Sequence, residues 1–161
     1  MTTARISKML RTAIPITLGC ALLASGGSAI AQSVTSESHE GPCSNRTLFG
    51  DYGSAPEGVL LNVPGLPPEA QFRGLSMTHF DGKGNLTSVE HIVVNGAPLQ
   101  PGWTAASGTY TVSPDCTGTA VVNTPNSPVP LNLALVVVRQ GKEIHTVLDS
   151  NAIATVFIKV H

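Results

Sequence analysis

The sequence predicts an all-β domain, a single antiparallel up-and-down β-barrel of about eight strands, with a β-sandwich as the alternative. Beyond residue 42, short runs rich in β-branched and aromatic residues alternate with Gly, Pro, Asn and Asp. No stretch of ten residues there has a helical apolar period free of Pro and Gly. Residues 81–85 and 139–142 carry the glycines that tight antiparallel turns require. Closure into a barrel would also remove exposed strand edges.

The predicted strands follow one another with short breaks, as sequential hairpins require. Their ranges are 47–53, 58–63, 72–81, 85–95, 107–112, 117–123, 131–139, 143–149 and 153–160.

The first 31 of the 161 residues are typical of a secretory signal peptide. A start with three basic residues precedes an apolar run over 13–24, and Ala29 and Ala31 are the small residues that a signal peptidase recognises. The run is shorter than the roughly 20 residues that span a bilayer, so no membrane span is expected. Cleavage after Ala31 would release the protein to the periplasm or the exterior.

Lipoprotein processing is the alternative, because Gly19 precedes Cys20 and would suit acylation of that cysteine. Residues 32–42 are polar and predict a flexible arm, followed by the barrel domain at 43–161.

Two cysteines remain after cleavage, Cys43 and Cys116. An even pair in an exported domain predicts a disulfide. It would close a loop of roughly 70 residues and contribute about 4 kcal/mol in the chain-entropy model.

Charge argues against polyanionic partners. Without its leader the chain keeps six basic and ten acidic residues, and the six are scattered singly along the sequence. Nucleic acids and anionic membranes are bound through clustered Lys and Arg, so neither is expected. No phosphate-binding glycine loop is present, and no cofactor is predicted.

Residues 131–138 and 152–160 are apolar at both strand parities, so both faces of these strands require cover. The arm, the Pro-rich loops or a second copy of the chain could provide it. A homo-oligomer is therefore one expectation.

Several Asp and Gly residues have a structural explanation as turn residues and need no catalytic role. Asp81 can accept hydrogen bonds from its own turn, in which Gly82 and Gly84 adopt conformations that a Cβ would disfavour, and Asp115 can do the same before Cys116. These four residues are interpreted as structural.

Three segments carry a family resemblance: Cys-Ser-Asn-Arg-Thr-Leu at 43–48, Phe-Asp-Gly-Lys-Gly-Asn at 80–85 and Asp-Cys-Thr-Gly-Thr-Ala at 115–120. Their order and spacing resemble those of a group of small secreted, mostly bacterial proteins of unknown function, along nearly the whole mature chain. The resemblance implies export, a pair between Cys43 and Cys116, and a barrel similar to those of allene oxide cyclase and lipocalin-like folds. It implies no activity.

Motifs for catalysis or metal binding are weak. The histidines His79, His91 and His145 lack any metal-ligand spacing, and we interpret them as solvated strand residues, with no metal expected. There is no Gly-x-Ser-x-Gly elbow, and both cysteines are expected to be oxidised.

The leading hypothesis is a non-catalytic secreted barrel that binds a small apolar ligand or a partner surface. Trp103, in a Pro-Gly loop, is the candidate residue at the barrel mouth. The alternatives are a cyclase-like or isomerase-like enzyme, in which Glu90, His79 or Tyr110 would point inward, and a structural protein that self-associates.

Overall fold

The computed structural model describes residues 42–161, so the predicted leader 1–31 and nearly all of the arm 32–42 lie outside the described residues. Ten strands form one antiparallel sheet. Two short 3₁₀ helices, Asn45–Thr47 and Arg139–Gly141, complete the elements. The strands are β1 (Phe49–Ser54), β2 (Glu57–Leu60), β3 (Ala70–Asp81), β4 (Asn85–Val94), β5 (Ala97–Pro98), β6 (Thr104–Val112), β7 (Thr117–Asn123), β8 (Leu131–Val138), β9 (Glu143–Leu148) and β10 (Ala152–Lys159).

The sheet closes on itself as an eight-stranded up-and-down barrel, which confirms the predicted fold class. Strands β1 and β2 act together as one interrupted strand, because both pair with β3 on one side and with β10 on the other. Each remaining barrel strand pairs with its neighbours in sequence. The two-residue strand β5 lies in a segment expected to be a turn and pairs with the end of β4.

Strand alternation decides which side chains face inward. In β3 the even-numbered residues from Ala70 to Phe80 face the interior, and the odd-numbered ones, such as Leu75 and Met77, face outward. Phe80 is central to the core, with its ring edge-to-face against Tyr52, Tyr110 and Phe157.

One end of the barrel carries the β3–β4, β6–β7 and β8–β9 turns, and we call it the closed end. The segment 43–48 folds across it: the Leu48 side chain is fully buried, and the Asn45 side chain accepts a hydrogen bond from the Val112 backbone at 2.7 Å. The Cys43–Cys116 disulfide fastens this plug and confirms the predicted pairing. Thr47, expected to begin the first strand, instead ends a 3₁₀ helix in the plug.

The other end carries the long connections at 61–69, 95–103, 124–130 and 149–151, and we call it the loop end. A smaller apolar cluster lies there, with Ala70, Ile92 and Val94 buried and Leu66 packed against them from the first loop. No helix within 42–161 is long and apolar enough to cross a bilayer.

Candidate functional site

The interior between the two apolar clusters is lined by small polar side chains. Ser54, Ser76, Glu90 and Thr104 lie directly opposite one another on β1, β3, β4 and β6 and all face inward. The hydroxyls of Ser54 and Ser76 are 2.8 Å apart and hydrogen-bonded. These four residues are only partly buried despite facing inward. The wall at this level therefore does not fill the barrel.

Glu90 supplies the one inward-facing carboxylate of the described strands. Its Oε1 accepts hydrogen bonds from the Thr124 hydroxyl and from Asn126 Nδ2, the latter at 2.8 Å. Asn126 Nδ2 also lies 2.9 Å from the Thr104 hydroxyl, which in turn donates to the Glu90 carbonyl oxygen. This cluster ties the β7–β8 loop to the inner wall at the loop end.

Three buried polar atoms among the described residues have no hydrogen-bond partner: Asn126 Oδ1, Thr146 Oγ1 and Thr155 Oγ1. Thr146 and Thr155 are direct partners on β9 and β10 and both face inward. Buried polar groups normally have a partner, which can be water or a ligand. The two threonine hydroxyls therefore add polar groups without a described partner to the inner wall.

Tyr110 faces inward but belongs to the closed-end plug. Its hydroxyl donates to the carbonyl oxygens of Asn45 and Leu48, each 3.0 Å away. Burial raises the pKa of the Tyr110 phenol, which keeps it protonated as a donor. The side chain stabilises the plug and offers no free group to a ligand.

His79 and Trp103 do not face the interior. His79 is on the outer face of β3, and its Nδ1 lies 2.7 Å from Asp51 Oδ1. Trp103 is 59% exposed and packs beside the outward-facing His91, 5.9 Å between ring centroids. Thus Glu90 lies toward the loop end of the interior, Tyr110 at its closed end and His79 on the outer face, so the three candidates for an internal enzyme site do not form a catalytic group together.

The remaining histidines are held by separate local contacts. His91 Nδ1 lies 2.8 Å from the Gly102 carbonyl oxygen, and His145 Nε2 lies 2.7 Å from Glu143 Oε1. Residues 42–161 contain no group of three or more His, Cys, Asp or Glu side chains placed to hold a metal ion.

The turn carboxylates accept hydrogen bonds from their own loops. Asp81 accepts from the Lys83 and Asn85 backbones and from the Asn85 side chain at 2.7–2.9 Å. In the same turn Gly82 and Gly84 have φ of 73° and 111°. Asp115 accepts from the Thr117 amide and hydroxyl, and these bonds, the hydroxyl first, lower its pKa.

A groove of about 980 Å³ lies on the outside of the barrel, across β2, β8, β9 and β10. Its floor consists mainly of small aliphatic side chains that point outward from three strands, with His145 between Val136 and Val156, and Arg73 and Glu57 lie at its edge. The floor residues include Ala134, Val136, Val147, Ala152, Ala154 and Val156. The sequence predicts that both faces of β8 and β10 require cover. Among the described residues, however, the outward-facing side chains of these two strands are exposed.

Comparison with family models found no match to this chain, and a search of curated proteins found no relative.

A second pocket, about 760 Å³, lies at the closed end and gathers Arg139, Lys142 and Lys159 with His161. These three basic residues are scattered along the sequence but lie together in the structure, because the β8–β9 turn and the end of β10 meet in space. Arg139 is paired with Glu143 at 3.2 Å, which offsets part of the local charge.

Sequence reasoning missed Thr124 and Asn126, because both lie in a Pro-rich connection expected to be an ordinary loop. No signal in the sequence connects them to Glu90, 34 and 36 residues earlier. The pairing of β4 with β6 and of β6 with β7 brings the β7–β8 loop over the inner face of β4.

Proposed function

We propose that this protein is an exported, non-catalytic binding protein whose ligand is a small apolar molecule held in the outer groove across β2, β8, β9 and β10. The proposal rests on the groove, which is a concave and mainly apolar surface of the folded domain. Its volume of about 980 Å³ falls at the upper end of the range of small-molecule sites, which is about 300–1,000 Å³.

The chemistry of the lining supports an apolar ligand. Alanine and valine side chains form the floor, whereas the charged groups stand on the rim, where Arg73 and Glu57 pair at 3.6 Å. Val147 on the floor is 52% exposed, so burying it under a ligand would release ordered water. Alanine and valine outnumber polar side chains such as His145 on the floor, which favours a ligand recognised mainly by shape and apolar area.

A neutral solvatochromic dye such as Nile red tests the groove. The Val147→Asp variant should weaken dye binding by about fivefold or more, because a carboxylate on the floor must be desolvated. Val89→Asp is the matched control, since Val89 is a 45% exposed valine on the outer face of β4, outside the groove. Equal loss in both variants, or no dye binding to the wild type, would reject the groove as the site.

Self-association is a second candidate function, favoured by apolar side chains that extend beyond the groove. Val89 is opposite Met77, Met77 is opposite Gly53, and Gly53 is opposite Ile158, all on the outer face. Three of these carry exposed apolar side chains, and exposed patches of this kind are typical of interfaces.

Sedimentation velocity across a concentration series tests this candidate. If the outer face joins two copies, the wild type should sediment as a dimer or larger species and Met77→Lys as a monomer. Thr87→Lys is the control, because it places the same charge on the outer face of β4 at a polar, exposed position. A wild-type monomer at all concentrations would exclude self-association and leave the groove free for a ligand.

Export is proposed from the leader, with cleavage after Ala31, and from the resemblance to small secreted proteins. The Cys43–Cys116 disulfide supports it, because such bonds persist in oxidising compartments. Intact mass of the protein from its own host distinguishes a chain that begins at Gln32 from one that begins at an acylated Cys20. Retention of residues 1–31 would contradict both forms of processing.

A further inference from the structure

The inside of the barrel at its loop end has features that the outer groove does not explain. Glu90 places a carboxylate on the inner wall, and the ion pairs formed by described residues do not include it. Placing a charge in a partly dehydrated interior is unfavourable unless it is paired or well hydrogen-bonded. Here only Oε1 receives hydrogen bonds from described residues, those of Thr124 and Asn126.

The other carboxylate oxygen of Glu90 is therefore available to an occupant. Oε2 receives no hydrogen bond from the residues the structure describes, and Glu90 keeps part of its accessible surface. The two bonds to Oε1 fix the carboxylate against the β7–β8 loop. An incoming group would meet an oriented acceptor rather than a freely rotating side chain.

Room for an occupant follows from the size of the inner residues. At the same level of the barrel as Glu90 lie Ser54, Ser76 and Thr104. The preceding inward position on β4 is Ser88. All four are small and keep part of their accessible surface while facing inward. Eight-stranded barrels are either filled by side chains or hold one small ligand, and this level is not filled.

Beyond Glu90 toward the loop end, the inner wall becomes apolar. The next inward positions of β4 are Ile92 and Val94, and Phe72 on β3 lies opposite Val94. Ile92 and Val94 are themselves buried, so a molecule that reached the carboxylate would contact the partly buried Phe72 beside them. This order, acceptor first and apolar wall next, matches a cation that carries a short hydrocarbon tail.

We propose that the interior at the loop end binds a small organic ammonium ion, with the Glu90 carboxylate as its counter-charge and the apolar wall at Phe72 as the contact of its tail. The site is separate from the outer groove and independent of the function proposed for it. An ammonium donates hydrogen bonds only, which suits a site whose free groups are a carboxylate and serine and threonine hydroxyls.

The competing explanation is that Glu90 only fastens the β7–β8 loop. Glu90→Gln separates the two roles, because the amide oxygen can still accept from Thr124 and Asn126 while the charge is lost. Asp51→Asn is the matched control, a carboxylate on the outer face of β1, away from the groove, whose partner is His79 at 2.7 Å.

The probes are n-hexylammonium and its neutral counterpart n-hexanol, each titrated into the ¹⁵N-labelled barrel domain and followed by NMR. The wild type should bind hexylammonium at least about tenfold more tightly than hexanol, as expected for a charge-assisted hydrogen bond. The amide shifts should move at Thr104, Thr124 and Asn126. Glu90→Gln should lose this preference, and Asp51→Asn should keep it.

The wild-type titration decides the matter even if Glu90→Gln does not fold. Shifts confined to outer-face residues, or equal affinity for the two probes, would overturn the proposal. A folded Glu90→Gln that binds hexylammonium as tightly as the wild type would overturn it as well, and the carboxylate would then be a structural fastener of the loop.

Discussion

The hydroxyl of Tyr52 donates a hydrogen bond to the carbonyl oxygen of Gly141, 89 residues later in the chain. Tyr52 is fully buried on the inner face of β1, and Gly141 lies in the turn between β8 and β9. The bond joins the first strand to the turn across the closed end. It also explains why a tyrosine is used here, since a buried turn carbonyl otherwise lacks a donor.

Tyr52→Phe removes this donor without changing the shape of the ring. The Gly141 carbonyl loses its partner, so the free energy of unfolding should fall by about 1–3 kcal/mol. Urea denaturation followed by circular dichroism measures the change. An unchanged midpoint with an unchanged slope would mean that water replaces the hydroxyl at no cost.

Gly141→Ala should destabilise the closed end more than a positive φ alone requires. An added Cβ would lie 2.1 Å from the Thr47 carbonyl oxygen in the plug, and φ at this residue is +79°. Gly96→Ala is the matched control, with φ of +84° and no atom within 4 Å of the new Cβ.

The control should lose about 1 kcal/mol, the strain of a left-handed alanine, and Gly141→Ala clearly more. Thermal denaturation of both variants compares the two effects. If the two substitutions lower the stability by the same amount, the plug moves to accommodate the new Cβ and does not constrain the turn.

Removing the Cys43–Cys116 disulfide should lower the free energy of unfolding by about 4 kcal/mol in the chain-entropy model, since the bond links residues 73 apart. The double variant Cys43→Ser, Cys116→Ser tests this without a reductant. Hydrogen exchange should increase first in the plug, at Leu48 and Val112, because the bond fastens that segment. Uniform loss of protection would indicate that the plug and barrel unfold together.

Stability in acid should depend on Asp81. The Asn85 side chain, then the Asn85 and Lys83 backbone amides, lower the pKa of its carboxyl to about 2. A pKa lower in the folded than in the unfolded chain means that the stabilisation is present above about pH 4, where the unfolded carboxyl is ionised. It is lost as the pH falls toward 2.

Asp81→Asn should therefore be less stable than the wild type at pH 7, and the difference should shrink as the pH approaches 2. Asp149→Asn, in the β9–β10 connection, is the control carboxylate. Urea midpoints across the pH series give the comparison. A difference independent of pH would assign the effect to the shape of the turn rather than to its charge.

Much of the fold was predictable because it depends on local pattern. Each predicted run overlaps an observed strand, since alternation and turn glycines are properties of neighbouring residues. The turn at 81–85 is one example, in which Asp81, Gly82 and Gly84 all act within five residues. The plug was not predicted, because Thr47 and Leu48 have the same composition as a strand and only contact with Tyr110 and Gly141 reveals their role.

The sequence by itself determined the strand pattern, the turn chemistry and the pair of cysteines, because each rests on residue type and near spacing. The tertiary structure decided which parity faces inward and what meets across the barrel. It placed Glu90 with Thr124 and Asn126, and it placed His79 and Trp103 on the outside. It also left Val136, Val147 and Val156 exposed on the outer face. Closure sets these contacts, since the register of distant strands fixes which side chains share a surface and no local pattern encodes it.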